Sequence, residues 1–279
     1  MSPAQRRDIH ANGLRFHLLD WGTEGQPPLF LIHGLGSTLH MFDLIAPELS
    51  QRFHVFAVDQ RGHGLSDKPD DGYDFETLSR DLDTLIEALG FGDTPVPLVG
   101  HSWGAYTVLY YAATRPERVS KLVLLDGGIR PLSEVFPEGE TRLYPPIYTR
   151  MNLEAIRRFI REEWIGAALR PDFEPLALSI YDQSNPDDIQ PHLRRAHNIQ
   201  IARHLWAFQP GNFFPRVQCP TLIVNAINPG ETLSNDLRRY TEAAQIAAPQ
   251  AQVIWMDDTI HDIPWQRPAE LVAVLNRFL

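Results

Sequence analysis

Cysteine is almost missing from this chain: Cys219 stands alone among 279 residues. One thiol can form neither an intramolecular disulfide nor a thiolate metal cluster, so stability must come from an ordinary apolar core. Also missing is any apolar run long enough to cross a bilayer, and the opening Met1-Ser-Pro-Ala-Gln-Arg-Arg-Asp-Ile-His10 carries no apolar leader segment. The expected location is the cytoplasm, with no membrane partner. Positive charge is scarce: 25 Lys and Arg against 35 Asp and Glu give a formal charge of −10. That balance repels a phosphate backbone, so no nucleic-acid partner is expected. The acidic residues are spread along the chain, as on a solvated surface. No internal repeat and no low-complexity tract interrupts the sequence.

What remains has the composition of a globular protein, 43% hydrophobic and 22% charged, with enough length to bury a large core. Short apolar runs recur with helix-like segments between them. Leu14–Asp20, Pro28–Ile32, Val55–Asp59, Thr94–Val99, Val119–Leu125, Thr221–Asn225 and Gln252–Trp255 read as strands. Phe75–Leu89, Ala105–Ala113 and Ala269–Leu279 read as helices. This alternation predicts an α/β fold built on a doubly wound, mostly parallel sheet. The rhythm breaks between about Ile129 and Pro215. There Pro131, Pro137, Pro145 and Pro146 precede helical patterns over Asn152–Ala168, Phe173–Asp182 and Pro186–Phe208. Long structureless loops are rare in compact domains, so residues 129–215 read as an inserted helical cap, and 1–128 with 216–279 as the core. Such a cap belongs over the carboxyl edge of the sheet, where open α/β folds bind ligands.

The stretch Gly100-His101-Ser102-Trp103-Gly104 lies between one of those strands and the helix that follows it. A serine between two glycines on a strand-to-helix turn is the pattern of a nucleophile elbow. The turn is tight enough to strain the serine backbone, and it puts the amide of Trp103 at a helix N-terminus, facing any developing negative charge. A serine hydroxyl is a poor nucleophile at neutral pH, so an imidazole must take its proton during attack. His261, in Ile260-His261-Asp262-Ile263-Pro264, follows the last expected strand and is the best placed of eleven histidines. On spacing alone it reads equally well as a surface-turn residue. His33 and His63 sit in glycine-rich turns and read as structural, and His101 as a packing or hydrogen-bonding residue. The spacings of His192, His197 and His204 do not make a metal site, and neither metal nor cofactor is expected.

Taken with Phe30-Leu-Ile-His33-Gly34-Leu35-Gly36 and Asp59-Gln-Arg61-Gly62-His63-Gly64-Leu-Ser66-Asp67, these motifs stand in one order, and the chain resembles the α/β-hydrolase fold superfamily in its serine-nucleophile branch. The resemblance implies Ser102 as nucleophile, His261 as base, and the amides of Leu35 and Trp103 as an oxyanion hole. The acid departs from the family pattern. Its usual slot, after Thr221–Asn225, holds Asn228. Asp126, which ends another strand where some members place their acid, is the first choice; otherwise it is a turn residue before Gly127-Gly128. Glu231, Asp257 and Asp258 remain open.

The implied activity is that of a carboxylesterase acting on small or medium neutral esters through an acyl-enzyme. Gly34, Trp206 and Tyr144 are expected at the substrate, with Tyr148, Trp164, Tyr181, Phe208 and Phe213 as further candidates for an aromatic lining. The same machinery would serve a lactonase, an amidase or a carbon–carbon bond hydrolase. A weakly catalytic ligand receptor is a different reading, favoured by Asn228 in the acid slot. Relatives that hydrolyse haloalkanes or epoxides use an aspartate where this chain has Ser102. The expected assembly is a monomer or homodimer.

Overall fold

A computed structural model of the chain describes residues 4–147, 151–164, 173–186, 188–230, 232 and 234–279. Its strands are β1 (Gln5–Ala11), β2 (Leu14–Trp21), β3 (Pro28–Ile32), β4 (His54–Val58), β5 (Val96–His101), β6 (Val119–Leu125), β7 (Tyr181–Asp182), β8 (Gln190–Pro191), β9 (Thr221–Ala226) and β10 (Ala251–Met256). Eight of them form one sheet in the order β1-β2-β4-β3-β5-β6-β9-β10. The β1–β2 and β2–β4 pairs are antiparallel and the rest are parallel.

Burial on both faces explains the near-continuous apolar runs of the central strands. In β3, Phe30 and Ile32 enter one apolar cluster while Leu29 and Leu31 enter the other; in β6, Leu122 and Leu124 oppose Val123 and Leu125 in the same way. The fold class read from the sequence is the observed one. The helix Phe75–Ala88 starts where Asp74 accepts a hydrogen bond from the Thr77 amide, 2.9 Å away, and it buries Leu78, Leu82, Leu85 and Ile86. The helix Trp103–Thr114 is apolar almost all round and is buried on nearly every side. No helix among the described residues is long and apolar enough to cross a membrane.

Some expectations change. The edge strand β1, charged and largely exposed, and the helix Asn235–Ala247 are additional elements. Within 129–215 the helical pattern expected from Pro186 is helical only over Arg195–Ala207, because Gln190–Pro191 pairs with Tyr181–Asp182 as a short antiparallel ribbon. That ribbon also ends the preceding helix at Leu178. The helix expected from Asn152 runs over Leu153–Phe159 and widens into a π-turn at Ile160–Trp164; its expected remainder lies outside the described residues.

Register decides which side chains meet at the carboxyl edge. His101 is level with Leu125 across β5–β6, so the residues that follow, Ser102 and Asp126, leave the sheet side by side. The Ser102 amide donates to the Leu125 carbonyl at 2.9 Å, and the Asp126 amide to the Val224 carbonyl at 2.8 Å. Past β4, the buried Asp59 carboxylate accepts from the amides of Leu39 and Leu65, both at 2.9 Å, and so ties the segment after Gly36 to the turn at 62–66. Asp59→Ala leaves both amides without that acceptor and should cost about 3 kcal/mol, seen as a lower urea midpoint. A shift under about 1 kcal/mol would mean that water replaces the carboxylate in this tie.

Candidate active site

Ser102 takes φ 54° and ψ −120°, a left-handed backbone that a non-glycine residue adopts at a cost of about 1–3 kcal/mol. Close approach forces it. A side chain on Gly104 would run into the carbonyls of Ile32 and His33, and one on Gly34 would come within 2.9 Å of the Ser102 Cβ. Asp126 has φ 43°, tolerable for an aspartate at a turn.

Across this edge the His261 Nδ1–H donates to Asp126 Oδ2 at 2.6 Å, while the Ala226 amide donates to Oδ1 at 3.0 Å. The Asp126 side chain keeps 14% of its surface exposed and His261 keeps 49%. Burial works to raise the carboxyl pKa of Asp126, but the hydrogen bond and charge of His261 with the Ala226 amide outweigh it and lower the pKa. For His261 burial works the other way from Asp126, and the carboxylate wins again: its pKa lies above the usual imidazole value. The neutral ring therefore carries its proton on Nδ1 and leaves Nε2 free as an acceptor.

Other histidines hold the loops in place. His101, behind the elbow, donates from Nε2 to the His261 carbonyl at 2.9 Å and packs ring against ring at 4.8 Å. Burial, with the neighbouring His261 charge, pushes its pKa down to about 3, so it stays neutral. His33 donates from Nδ1 to the Gly34 carbonyl and accepts the Gln60 amide on Nε2, at 2.8 and 3.1 Å. His63 donates to the Arg61 carbonyl and accepts the Gly36 amide, at 2.9 and 3.1 Å. Burial lowers both pKa values, which keeps these tautomers fixed. The loop 33–36 is thus fastened at both ends. Neither the Leu35 nor the Trp103 amide has an acceptor among the described residues.

Ser102, Trp103, Leu35, Asp126 and His261 line one cavity of about 240 Å³. Ile129, Arg130, Leu132, Phe136 and Leu205 close its other side. Asn228, in the slot where the family pattern puts its acid, lines an adjoining cavity beyond Asp126 and His261. Glu231, the second candidate acid, lies outside the described residues, as do Tyr148 and the side chain of Trp164. Neither Asp257 nor Asp258 hydrogen-bonds to His261. Among the described residues no group of His, Cys, Asp and Glu is arranged to hold a metal.

A sequence profile of the alpha/beta hydrolase fold matches residues 27–268. The chain belongs to that family. This α/β hydrolase is 26% identical over 295 residues to the AB hydrolase superfamily protein YfhM of Bacillus subtilis, an alignment that covers 97% of the chain and 96% of the relative. It is 26% identical over 287 residues to N-formylmaleamate deformylase of Pseudomonas putida, covering 98% and 95%. The crystal structure of E-2-(acetamidomethylene)succinate hydrolase superposes with a TM-score of 0.84 over 99% of both chains, at 25% identity.

The expected substrate contacts divide. Gly34 lies against Ser102, but neither Tyr144 nor Trp206 lines the Ser102 cavity. The Tyr144 hydroxyl is taken up by Glu140 and Arg203, and the Trp206 indole donates to the Phe136 carbonyl at 2.9 Å. Phe208 and Phe213 stack on each other at 4.6 Å, and Phe208 packs against Phe75 and Tyr106, so both are core. Tyr181 belongs to the short ribbon. Trp103 is buried and stacks on His63 at 5.3 Å. Arg130 was not singled out from the sequence; its only signal there was a cation four residues after Asp126 in an acidic chain.

The raised pKa gives a sign that can be checked. His261 should titrate above 6.5 in NMR spectra of the folded protein, and the stability it contributes should be complete below 6.5 and fade as pH passes its folded value. Asp126→Asn should bring the midpoint down. An unchanged midpoint would show that the Asp126 contact does not hold the imidazolium.

Proposed function

We propose that this α/β hydrolase is a serine hydrolase that cleaves carboxylic esters of small or medium size through an acyl-enzyme intermediate. The observation that carries the reading is the 2.6 Å contact of His261 Nδ1 with Asp126 at the rim of the cavity that holds the strained Ser102. In the mechanism, Ser102 Oγ attacks the ester carbonyl carbon while His261 Nε2 takes the hydroxyl proton. Asp126 supports the imidazolium that forms. The oxyanion is met by the Leu35 and Trp103 amides, each worth about 3 kcal/mol at the transition state. The proton then passes to the departing alcohol, and water, deprotonated by the same imidazole, releases the acid.

Residues 129–215 act as the cap in this reading, which is supported by Ile129, Arg130, Leu132, Phe136 and Leu205 lining the cavity that holds Ser102. Asn228 in the usual slot no longer argues for a receptor, since a carboxylate reaches His261 from β6 instead. A second reading, cleavage of a carbon–nitrogen bond, is favoured by the named activity of the deformylase relative that matches nearly the whole chain. The same attack and the same oxyanion hole serve an amide.

Hydrolysis of p-nitrophenyl esters from acetate to long chains decides between enzyme and binder. We expect turnover to peak at short or medium chains, to fall by at least about 10³-fold in Ser102→Ala and by about 10⁴-fold in Asp126→Asn. Glu231→Gln should do little. Equal slow release by wild type and Ser102→Ala would end the serine-hydrolase reading, and a large loss confined to Glu231→Gln would move the acid. The rate should also rise with pH through a midpoint above 6.5, because the base works only when neutral.

A further inference from the structure

Arg130 is the cation of this site that the mechanism does not use. It lines the Ser102 cavity and also the adjoining one formed with Asn228, Thr232 and Ser234, so it stands at the partition between them. Its backbone is anchored: the buried Tyr106 hydroxyl donates to the Arg130 carbonyl at 2.7 Å. Some arginines elsewhere in this acidic chain are paired. Arg61 bonds Asp81, Arg118 bonds Asp83 and Arg161 bonds Glu174. Arg130 makes no hydrogen bond or salt bridge to a carboxylate among the described residues, although its charge acts on Asp126.

Among the described residues the other charged groups facing the two cavities are Asp126 and His261. They are committed to each other, and the second Asp126 oxygen is held by the Ala226 amide. Among the described residues the charge left without a bonded partner at the site is therefore positive, although the chain as a whole carries −10. Net charge governs steering from a distance, whereas a half-buried guanidinium governs what docks beside it. Its planar fork matches a carboxylate, which it can hold through two parallel hydrogen bonds.

We propose that the substrate carries a free carboxylate in addition to its scissile carbonyl, and that Arg130 binds it at the partition between the two cavities. This rests on the serine-hydrolase reading above and narrows it from neutral esters to anionic ones. A substrate seated on Ser102 extends toward Arg130, and its anion supplies the bidentate partner that no described residue does. Arg130 is thus a specificity residue, placed to discriminate before any bond is broken.

The test compares monomethyl esters of the four- to six-carbon dicarboxylic acids with methyl alkanoates of matching chain length, following acid release in a pH-stat. For at least one chain length the wild type should favour the anionic ester about 10-fold or more in kcat/KM, chiefly through KM. In Arg130→Gln that ratio should fall about 30-fold, and Arg130→Lys should restore part of it. A ratio equal in wild type and Arg130→Gln, with both esters slowed alike, would overturn the proposal and reduce Arg130 to a group that tunes His261. A wild-type preference for the neutral ester would overturn it as well. If no ester of either series turns over, the ester reading fails separately. Calorimetry with succinate, glutarate and adipate then decides this point: binding to wild type that Arg130→Gln loses supports it, and binding that is equal or absent in both overturns it.

Discussion

The narrowest constraint in the molecule is steric, and it surrounds one residue. Ser102 occupies a point where the backbone of β3, the turn after β5 and the end of β6 come together with no room for a Cβ on the facing positions. Gly34 faces the Ser102 side chain, Gly127 meets its carbonyl, and Gly104 meets the carbonyls of Ile32 and His33. They let three segments approach closely enough that a left-handed serine is the remaining solution, and the strain is held by the packing of the helix Trp103–Thr114 on both neighbouring strands.

The electrostatics are then arranged around that fixed point. Neutral, buried histidines act as rigid pins: His33 and His63, bonded through both ring nitrogens, for the loop that carries Leu35, and His101, through Nε2, for the loop that carries His261. A charged ring in any of these places would meet a large desolvation cost, and burial keeps all three uncharged. His261 differs from them by one contact. The Asp126 carboxylate reverses the effect of burial and makes this the imidazole suited to receive a proton.

Much of this could be read from the chain because the elbow and its flanking glycines are set by local geometry, which a few consecutive residues encode. The fold followed for a similar reason, since period-two burial on both faces writes itself as short apolar runs. Asp126 was reached only as the better of several carboxylates: its meeting with His261 depends on β6, β9 and β10 standing side by side in the sheet, which no local pattern records. Tyr144 and Trp206 do not line the Ser102 cavity, and aromatic content does not say which way a ring turns once hydrogen-bond partners such as Glu140 and Phe136 are available. Arg130 was invisible because what marks it is its place on two adjoining cavities, and cavities form only on folding. The ribbon of β7 and β8 escaped because two residues per strand are too few to show a period.

Placing the carboxylate on β6 also changes how the chain can diverge. Ser102 and Asp126 both precede the excursion at 129–215, and only His261 is supplied after it. Under the proposed mechanism, nucleophile and acid are therefore fixed to each other by adjacent strands before the polypeptide wanders off. Insertions, deletions or replacement of the excursion disturb a single return contact, the one His101 clasps through the His261 carbonyl. A lineage with this layout is free to trade one covering segment for another, and with it one substrate for another, while the reactive pair is inherited intact.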